Sequence, residues 1–331
     1  MERRSVRIRG LLAGLMVCLL VAGTGCAGRP APPDTGDLTT VRVAMFPAAN
    51  TLPVHTAITT GMFERNGLRI ELTETTDLPV AMAALSKGDY DIVMSVPTLV
   101  LIGAEKKLDI QVVAGLQRQT RERPNAVWIS RDPGITTLGQ LAGKTVAVPS
   151  VTGIIADALA YLLPRNGVDA RQVKLVPTPF PTMGDQLQAG RVDAAVATNP
   201  FFSAIAARGF AIHDDVIVEA VADATGGSVD YAVTSVWCGS TTFARDHPDT
   251  ITAWRATLMD AIDYLNDDES QARAQMQSWL KIPAPVLDAA QLPDWTVEIS
   301  PKDLAPYVTI ARAVGSISTD PDVNALVWQR P

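Results

Sequence analysis

Two short glycine-containing motifs each occur twice in this chain, in the same order and at nearly the same spacing. Arg65-Asn66-Gly67-Leu68 recurs as Arg165-Asn166-Gly167-Val168, and Gly88-Asp89-Tyr90-Asp91-Ile92 recurs as Gly190-Arg191-Val192-Asp193-Ala194. A glycine between a helix and a following strand adopts the left-handed conformation at little cost. Both copies fall at the same stage of a strand–helix–strand pattern, so the repeat predicts two similarly built lobes.

Alternation of apolar and polar residues predicts strands, and helical spacing predicts the helices between them. Residues 41–46 alternate like a strand, Pro53 opens a helix, and a second helix at 78–87 precedes a short buried strand at 92–94. Strands that alternate with helices predict a parallel or mixed sheet. An apolar run at 110–114 predicts a further strand, and the polar, arginine-rich segment 116–124 that follows separates it from the next strand at 126–129. After a β-rich run at 231–237 the pattern is helical, and we expect these C-terminal helices to pack on the first lobe.

The N-terminal segment has the layout of an export signal. Four arginines within the first nine residues precede an uncharged apolar run, and small residues then lead to Cys26. A cysteine at this place resembles the bacterial lipobox, although Gly23 stands where that motif usually has leucine. We therefore predict cleavage before Cys26 and lipidation of its thiol. An uncleaved membrane anchor and plain secretion are the alternatives, and all three place the domain outside the cytoplasm.

These features predict five segments. They are a signal peptide at 1–25, a tether rich in proline and glycine at 26–40, the first part of lobe 1 at 41–120, lobe 2 at 121–230, and a mostly helical second part of lobe 1 at 231–331. The chain would then cross between the lobes twice. The expected location is the extracytoplasmic face of the cell membrane, where the lipid would hold the protein.

The charge and the cysteine content argue against several classes of protein. The net charge is −7 and no basic block follows the first ten residues, which argues against a nucleic-acid partner. Once Cys18 leaves with the signal and Cys26 carries the lipid, Cys238 is alone and cannot form an intrachain disulfide. We expect Cys238 to be a small buried residue.

Signatures of catalysis, metal binding and cofactor binding are absent from the sequence. His55, His213 and His247 share no metal-ligand spacing. The segment 139–145 resembles a phosphate loop, but it is one residue short and precedes a strand instead of following one. We therefore expect no enzyme activity, no metal and no cofactor. The alternative of an enzyme would depend on Cys238 or His55.

Candidate ligand-binding residues follow the predicted strands, where helices begin and unpaired backbone N–H groups carry partial positive charge. The segments 46–50, 95–98, 149–153 and 199–202 occupy such places, and we expect them to meet in one cleft. Their hydroxyl and amide side chains can cap helices, which is the alternative role. For the aromatic residues the alternative is core packing. The predicted ligand-binding residues are Phe46, Asn50, Val96, Thr98, Ser150, Thr152, Gly153, Asn199, Phe201 and Trp237.

Five short segments, at 61–68, 85–91, 141–147, 190–194 and 243–249, together span nearly all of the mature chain. In their order they resemble the NMT1/THI5-like substrate-binding proteins of ABC importers for nitrate, sulfonate, taurine and thiamine-precursor pyrimidine. The resemblance implies an α/β, type II periplasmic-binding-protein fold: two lobes with a ligand cleft and two hinge crossings. It also implies a permease with its ATPase as partners. We expect a monomer.

The expected function is that of an extracytoplasmic solute-binding lipoprotein that captures a small organic molecule. The four segments contain no Lys or Arg, so a sulfonate or related anion would be held by helix N-termini and hydroxyls. A neutral heterocycle is the other ligand class. Two alternative functions stay open: an exported sensor or structural lipoprotein, and a thiamine-pyrimidine-synthase-like enzyme, although the cysteine/histidine-rich motif of such enzymes is not found here.

Overall fold

Two β-sheets organise the protein, which a computed structural model describes over residues 38–288 and 290–330. The first sheet contains, in chain order, β1 (Thr39–Met45), β2 (Leu68–Glu74), β3 (Ile92–Ser95), β4 (Gln111–Thr120), β10 (Tyr231–Gly239) and β11 (Asp294–Trp295). The second contains β5 (Val127–Ser130), β6 (Thr145–Val148), β7 (Lys174–Pro177), β8 (Ala194–Ala197) and β9 (Ala211–Asp215). The signal, Cys26 and most of the predicted tether lie outside the described residues.

The first sheet has the strand order β11-β4-β10-β3-β1-β2. Strand β1 is parallel to both β2 and β3, whereas β10 is antiparallel to β3 and to β4. Apolar residues cover both faces of β1: Val41, Val43 and Met45 enter one cluster and Ala44 enters another. Burial on both faces explains why this strand is almost continuously apolar. The helices of this half are α1 (Leu52–Thr59), α2 (Met62–Arg65), α3 (Leu78–Ser86) and α4 (Pro97–Glu105).

The second sheet has the strand order β7-β6-β8-β5-β9. Strand β6 is parallel to β7 and β8, and β5 is antiparallel to β8 and β9. Its helices are α5 (Ile154–Arg165), α6 (Phe180–Gln188), α7 (Phe201–Ala206) and α8 (Val216–Ala224). Both sheets combine parallel and antiparallel pairs with helices between the strands, which confirms the predicted α/β class.

The glycines of the repeated motifs adopt the conformation that the sequence predicts. The φ angle is 76° at Gly67 and at Gly167, 83° at Gly88 and 65° at Gly190. Each follows a helix. The next strand begins within four residues of Gly67, Gly88 and Gly190, whereas after Gly167 a short helical turn, Ala170–Gln172, precedes β7. These angles lie in the left-handed region, where glycine carries no Cβ penalty. The paired motifs therefore mark equivalent helix–strand junctions in the two halves.

Strand β4 is longer than the sequence indicates. The pattern predicts that the strand ends near residue 114 and that a polar segment at 116–124 follows, but β4 continues to Thr120. Gln117 and Gln119 are buried, and Gln119 pairs with Ala232 of β10. Pairing with β10 supplies the backbone partners that allow these polar residues to continue the strand. The prediction of an early strand end was wrong because local polarity does not reveal a distant partner strand.

The C-terminal region is helical apart from β11. Its helices are α9 (Thr241–Asp246), α10 (Pro248–Asp267), α11 (Glu269–Leu280), α12 (Ala284–Asp288), α13 (Pro301–Val314) and α14 (Val323–Leu326). As expected, α10 packs on α1 and α2 of the first lobe. However, α13 packs on α4 of the first lobe and also on α5 and α8 of the second. Its buried residues Leu304, Tyr307 and Ile310 join an apolar cluster that includes residues of both lobes.

The chain crosses between the sheets twice, once between β4 and β5 and once between α8 and β10. These crossings match the two predicted hinges, although the boundaries assigned to the lobes stay predictions. No helix within residues 38–288 or 290–330 is both long and apolar enough to cross a bilayer.

The buried side chain of Asp215 connects the first crossing to the second lobe by hydrogen bonds. Oδ2 of Asp215 accepts hydrogen bonds from the backbone N–H groups of Asn125 at 2.8 Å and Ala126 at 2.9 Å. Its Oδ1 accepts from the N–H groups of Ile217 at 2.9 Å and Val218 at 3.1 Å, which caps α8. Burial raises the pKa of Asp215 from 3.8 to about 6 despite these four donors.

Replacing Asp215 by asparagine removes one of its two acceptor atoms. The amide nitrogen of Asp215→Asn would face a pair of backbone N–H groups, which would lose their partner. We expect a loss of about 1–3 kcal/mol in the free energy of unfolding, measured by urea denaturation. Asp214→Asn is the matched control, because its neighbouring carboxylate is exposed. Equal losses in the two variants would contradict this role for Asp215.

Comparing the wild type with Asp215→Asn at different pH values gives a second test. Because the folded-state pKa of Asp215 lies above its ordinary value, the folded protein takes up this proton more readily than the unfolded chain. The resulting stabilisation is absent above about pH 6 and complete below 3.8. The stability of the wild type relative to Asp215→Asn should therefore rise by up to about 3 kcal/mol as the pH falls through that window. A difference that does not change with pH would contradict the burial argument.

Candidate functional site

The predicted binding segments lie at the carboxyl ends of neighbouring strands. Strands β1 and β3 are parallel neighbours, so residues 46–50 and 96–98 emerge at the same edge of the first sheet. Strands β6 and β8 are parallel neighbours in the second sheet, so residues 149–153 and 198–201 also emerge together. Helices begin at each of these places, as expected for ligand sites in open α/β sheets.

Asn50 connects the first edge to the returning strand. It lies in a short helical turn, Ala49–Thr51, immediately before α1. Its Nδ2 donates a hydrogen bond to Ser235 Oγ of β10 at 3.1 Å. Phe46, at the end of β1, is half-buried against the apolar cluster that contains residues of α1 and α10. Both residues therefore lie where the strand end, the first helix and the second crossing meet.

Thr98 lies where the two lobes touch. Val96 precedes α4 as its N-cap residue, and Thr98 is buried in the first turn of this helix. Its hydroxyl faces Asp157 of α5, whose Oδ1 also accepts a hydrogen bond from Ser316 Oγ at 2.7 Å. Burial raises the pKa of Asp157, and the hydroxyls of Ser316 and Thr98 oppose this effect. Sequence reasoning missed Asp157, because a charge in the first turn of a helix is ordinarily a solvated one.

Ser150, Thr152 and Gly153 form the loop before α5. Both hydroxyl residues are exposed, their oxygen atoms lie 3.2 Å apart, and the N–H of Thr152 donates to Ser150 Oγ at 3.2 Å. Gly153 is the N-cap residue of α5, with φ 99° and ψ −175°. This loop leaves its hydroxyl groups accessible at the second edge.

Asn199 connects the second edge to the first lobe. Its Nδ2 donates to the carbonyl oxygen of Gln291 at 2.9 Å, and its Oδ1 accepts from Ser203 Oγ at 3.1 Å. Its backbone N–H donates to Asn125 Oδ1 in the first crossing at 3.0 Å. The side chain of Asn199 therefore holds a contact between the lobes.

An aromatic pair lies beside Asn199. Phe201 stacks on Phe180 with ring centroids 5.8 Å apart. Phe180 begins α6, after the edge strand β7, and was not among the predicted site residues. The signal that could have revealed it is the same as for the other segments, because Thr178 and Pro179 also stand between a strand and a helix.

The alternative role of helix capping is not found for the hydroxyl and amide residues. The N-cap residues of α4, α5 and α7 are Val96, Gly153 and Pro200. Each of these N-cap residues lies one to three positions from the hydroxyl or amide residues that the sequence offered as caps. The side chains of Thr98, Ser150, Thr152 and Asn199 make other contacts instead.

Trp237 lies inside the first lobe. Its side chain is buried in an apolar cluster and meets Trp254 edge to face, with ring centroids 5.3 Å apart. This is the core packing that the sequence left open beside ligand contact. Successive side chains of a strand point to opposite faces of the sheet, so the position of Trp237 along β10 decides that it faces the core.

Other chemically active side chains are occupied by packing. His55 stacks on Trp279 and His213 stacks on Trp128, at centroid distances of 4.4 and 3.8 Å, and burial lowers the pKa of both histidines. Burial raises the pKa of the Cys238 thiol far above its usual range, so it is not a ready nucleophile. Within the described part of the chain, no three His, Cys, Asp or Glu residues are grouped to hold a metal.

A groove of about 590 Å³ lies away from the two sheet edges, between α5 and α8 of the second lobe. The arginines that line it are paired with acidic neighbours: Arg121 with Glu219 and Arg165 with Asp223. Because its charges neutralise one another, this groove offers less binding chemistry than the strand ends.

Comparison with known proteins agrees with this geometry. Residues 48–272 match the NMT1/THI5-like family. A protein of Brachyspira hyodysenteriae that is named as an ABC transporter periplasmic binding protein is 25% identical over 292 residues, which cover 84% of this chain and 79% of that protein.

Solved structures show the same fold at low identity. The aliphatic sulphonate binding protein SsuA of Escherichia coli superimposes with a TM-score of 0.71 at 16% identity, covering 88% of this chain and 92% of that one. The nitrate-binding protein NrtA of Synechocystis PCC 6803 gives a TM-score of 0.67 at 13% identity, covering 88% and 86%.

Two lobes joined by two crossings, with helix N-termini at facing sheet edges, define a type II periplasmic-binding-protein fold. The expectation of that fold is confirmed. The chain belongs to the NMT1/THI5-like family. The named relatives are binding proteins of transport systems and not enzymes, in agreement with the prediction that this chain is not an enzyme.

Gly153 offers a test of the loop before α5. Its backbone angles fall in a region that is essentially restricted to glycine, although a Cβ would meet no atom within 4 Å. We expect Gly153→Ala to lower the free energy of unfolding by about 1–3 kcal/mol through backbone strain alone. The control is Gly134→Ala, because Gly134 is exposed and has no positive φ. Urea denaturation compares the two, and unchanged stability of Gly153→Ala would contradict the strain.

Proposed function

We propose that this protein is the substrate-binding component of an ABC importer, anchored by lipid outside the cytoplasm, and that it binds a small organic molecule between its lobes. The observation that supports this proposal is the facing arrangement of the two sheet edges. Thr98, which follows β3, faces Asp157, which follows β6. Asp157 and Asn199 also bond to the C-terminal region, at Ser316 and Gln291 respectively. A molecule held between these edges would contact both lobes at once.

The mechanism that follows is closure of the lobes on the ligand. Contacts to both lobes stabilise the closed arrangement more than the open one, which shifts the population toward closure. The two crossings, between β4 and β5 and between α8 and β10, are where backbone angles can change. The closed form would then be recognised by a permease, whose ATPase drives import. The protein would act as a monomer.

Two ligand classes fit the strand ends. A sulfonate or related anion is supported by the helix N-termini, whose free N–H groups attract negative charge, and by the names of the structural neighbours. A neutral heterocycle is supported by the absence of Lys and Arg from the four segments and by half-buried Phe46 and Phe201. Both classes are small organic molecules that a site between lobes can enclose.

Ligand screening by thermal unfolding tests the proposed function. A ligand present at about 100 times its dissociation constant stabilises the folded state by about 2.7 kcal/mol, which raises the melting temperature measurably. Small-angle X-ray scattering of the same complex should show a smaller radius of gyration than the free protein. A ligand that raises the melting temperature without changing the radius would argue against closure, although it would leave binding intact.

Lipidation is a separate prediction that concerns Cys26, outside the described residues. In bacterial cells fed a fatty-acid analogue, the wild type should be labelled and fractionate with membranes, because the thiol of Cys26 accepts the lipid. Cys26→Ala should be unlabelled. Cys18→Ala is the matched control, since Cys18 lies within the predicted signal and should leave labelling unchanged. Equal labelling of Cys26→Ala and wild type would exclude this anchor.

A further inference from the structure

Four polar side chains are buried where the two lobes meet: Ser95 of β3, Thr98 of α4, Thr234 of β10 and Asp157 of α5. We refer to them as the buried polar cluster. Their exposed fractions are 0%, 2%, 5% and 6%. Ser95 ends β3 and Thr98 lies in the first turn of the helix that follows. Ser95 pairs with Val236 of β10, two residues from Thr234, so both hydroxyls lie at the same end of these neighbouring strands.

Three atoms of this cluster are buried without a hydrogen-bond partner among the described residues. They are Ser95 Oγ, Thr234 Oγ1 and Asp157 Oδ2. A buried polar atom that lacks a partner costs folding free energy, so proteins retain few of them without a reason. The described residues contain six such atoms, and the other three are Asn50 Oδ1, Gln119 Oε1 and Trp254 Nε1. Within the cluster, Thr98 of the first lobe faces Asp157 of the second, so a bound molecule that reaches this contact could complete the missing hydrogen bonds.

Asp157 is the one acidic or basic side chain of this cluster. Asp157 forms no ion pair with any Lys or Arg in residues 38–288 and 290–330, and its contacts there are the hydroxyls of Ser316 and Thr98. Asp157 also lies in the first turn of α5, where a carboxylate already compensates the positive end of the helix dipole. The N-terminus of α5 is therefore less able to hold a second anion.

We propose that Asp157 selects the ligand, which carries N–H donors and is neutral or positively charged, such as an amine, an amidine or an amino-substituted heterocycle. An N–H of this ligand donates to Asp157 Oδ2, and the hydroxyls of Ser95 and Thr234 bind its other polar groups. The inference rests on the proposed function and narrows it. A sulfonate or nitrate ion would instead meet a carboxylate and no cation.

A purely structural role for Asp157 would have a different consequence. If Asp157 served only to bond α5 to Ser316, it would contribute to stability without influencing which ligand charge the protein accepts. The discriminating measurement is therefore the preference of the protein between ligands that share an organic group and carry opposite charges. Stability alone does not separate the two roles.

The experiment uses two pairs of probes, each pair sharing a phenyl or a methyl group: benzamidine against benzenesulfonate, and acetamidine against methanesulfonate. Calorimetric titration at millimolar probe concentration compares the wild type with Asp157→Asn, which keeps the shape of the side chain but loses its charge. The wild type should bind an amidine and reject the corresponding sulfonate. Asp157→Asn should weaken amidine binding by about ten- to a hundredfold, as expected for a hydrogen bond to a charged group.

Two controls accompany this variant. Asp185→Asn makes the same change at an exposed carboxylate of α6 in the same lobe, and it should bind as the wild type does. Thr234→Val preserves the side-chain shape and removes one hydroxyl, so it should weaken amidine binding several-fold while keeping the preference for positive charge. If Asp157→Asn fails to fold, two measurements still test the inference: amidine binding by Thr234→Val, and the preference of the wild type between an amidine and its sulfonate.

The possible results separate the inference from the function on which it rests. Tighter binding of a sulfonate than of its amidine by the wild type, or undiminished amidine binding by folded Asp157→Asn, overturns the role of Asp157 and leaves a binding protein. Should no probe of either charge bind the wild type, the inference about the ligand class fails, and the proposed function is decided separately by the thermal-unfolding screen.

Discussion

The rest of the structure depends on the pairing of β10 between β3 and β4. This strand comes from beyond the second lobe and completes the first sheet with antiparallel partners on both sides. Its insertion forces the chain to cross between the lobes twice, and it extends β4 to Thr120. It also brings Ser235 within hydrogen-bonding distance of Asn50. The two-lobe arrangement and the composition of the inter-lobe edge therefore follow from one long-range strand pairing.

Contacts between the lobes combine apolar packing with a few buried polar groups. Helix α13 packs on helices of both lobes, and Tyr307 in this helix donates a hydrogen bond to the carbonyl oxygen of Val233 in β10 at 2.8 Å. Asp215 fixes the first crossing through the backbone N–H groups of Asn125 and Ala126 while it caps α8 through those of Ile217 and Val218. Apolar packing holds the lobes together without defining one arrangement. Buried hydrogen bonds require specific geometry, and they therefore define how the crossings are placed.

The polar groups of the proposed ligand site differ from those expected for an anion site. Helix N-termini at both edges favour anions, but the strand ends supply no Lys or Arg and Asp157 adds a buried carboxyl group. A carboxylate carries a full charge and a helix end only a partial one. In a low-dielectric site, an unpaired carboxylate at the helix N-terminus therefore repels an anion more than the helix end attracts it. Structural neighbours that bind sulfonate or nitrate share the fold at 13–16% identity, and a shared fold does not carry over the charge of the site.

The sequence by itself determined the α/β class, the repeated lobes and the left-handed glycines at the helix–strand junctions, because each depends on local periodicity or on backbone conformation. It also located the segments after β1, β3, β6 and β8, which lie at shared sheet edges. Only the tertiary structure decided that β4 continues past residue 114, that Trp237 lies in the core, and that Asn199 contacts Gln291. Asp157 could not be found from sequence, because its burial depends on Thr98 and Ser316, which are distant along the chain. Long-range packing decides which polar side chains lose their contact with water, and local sequence does not encode that outcome.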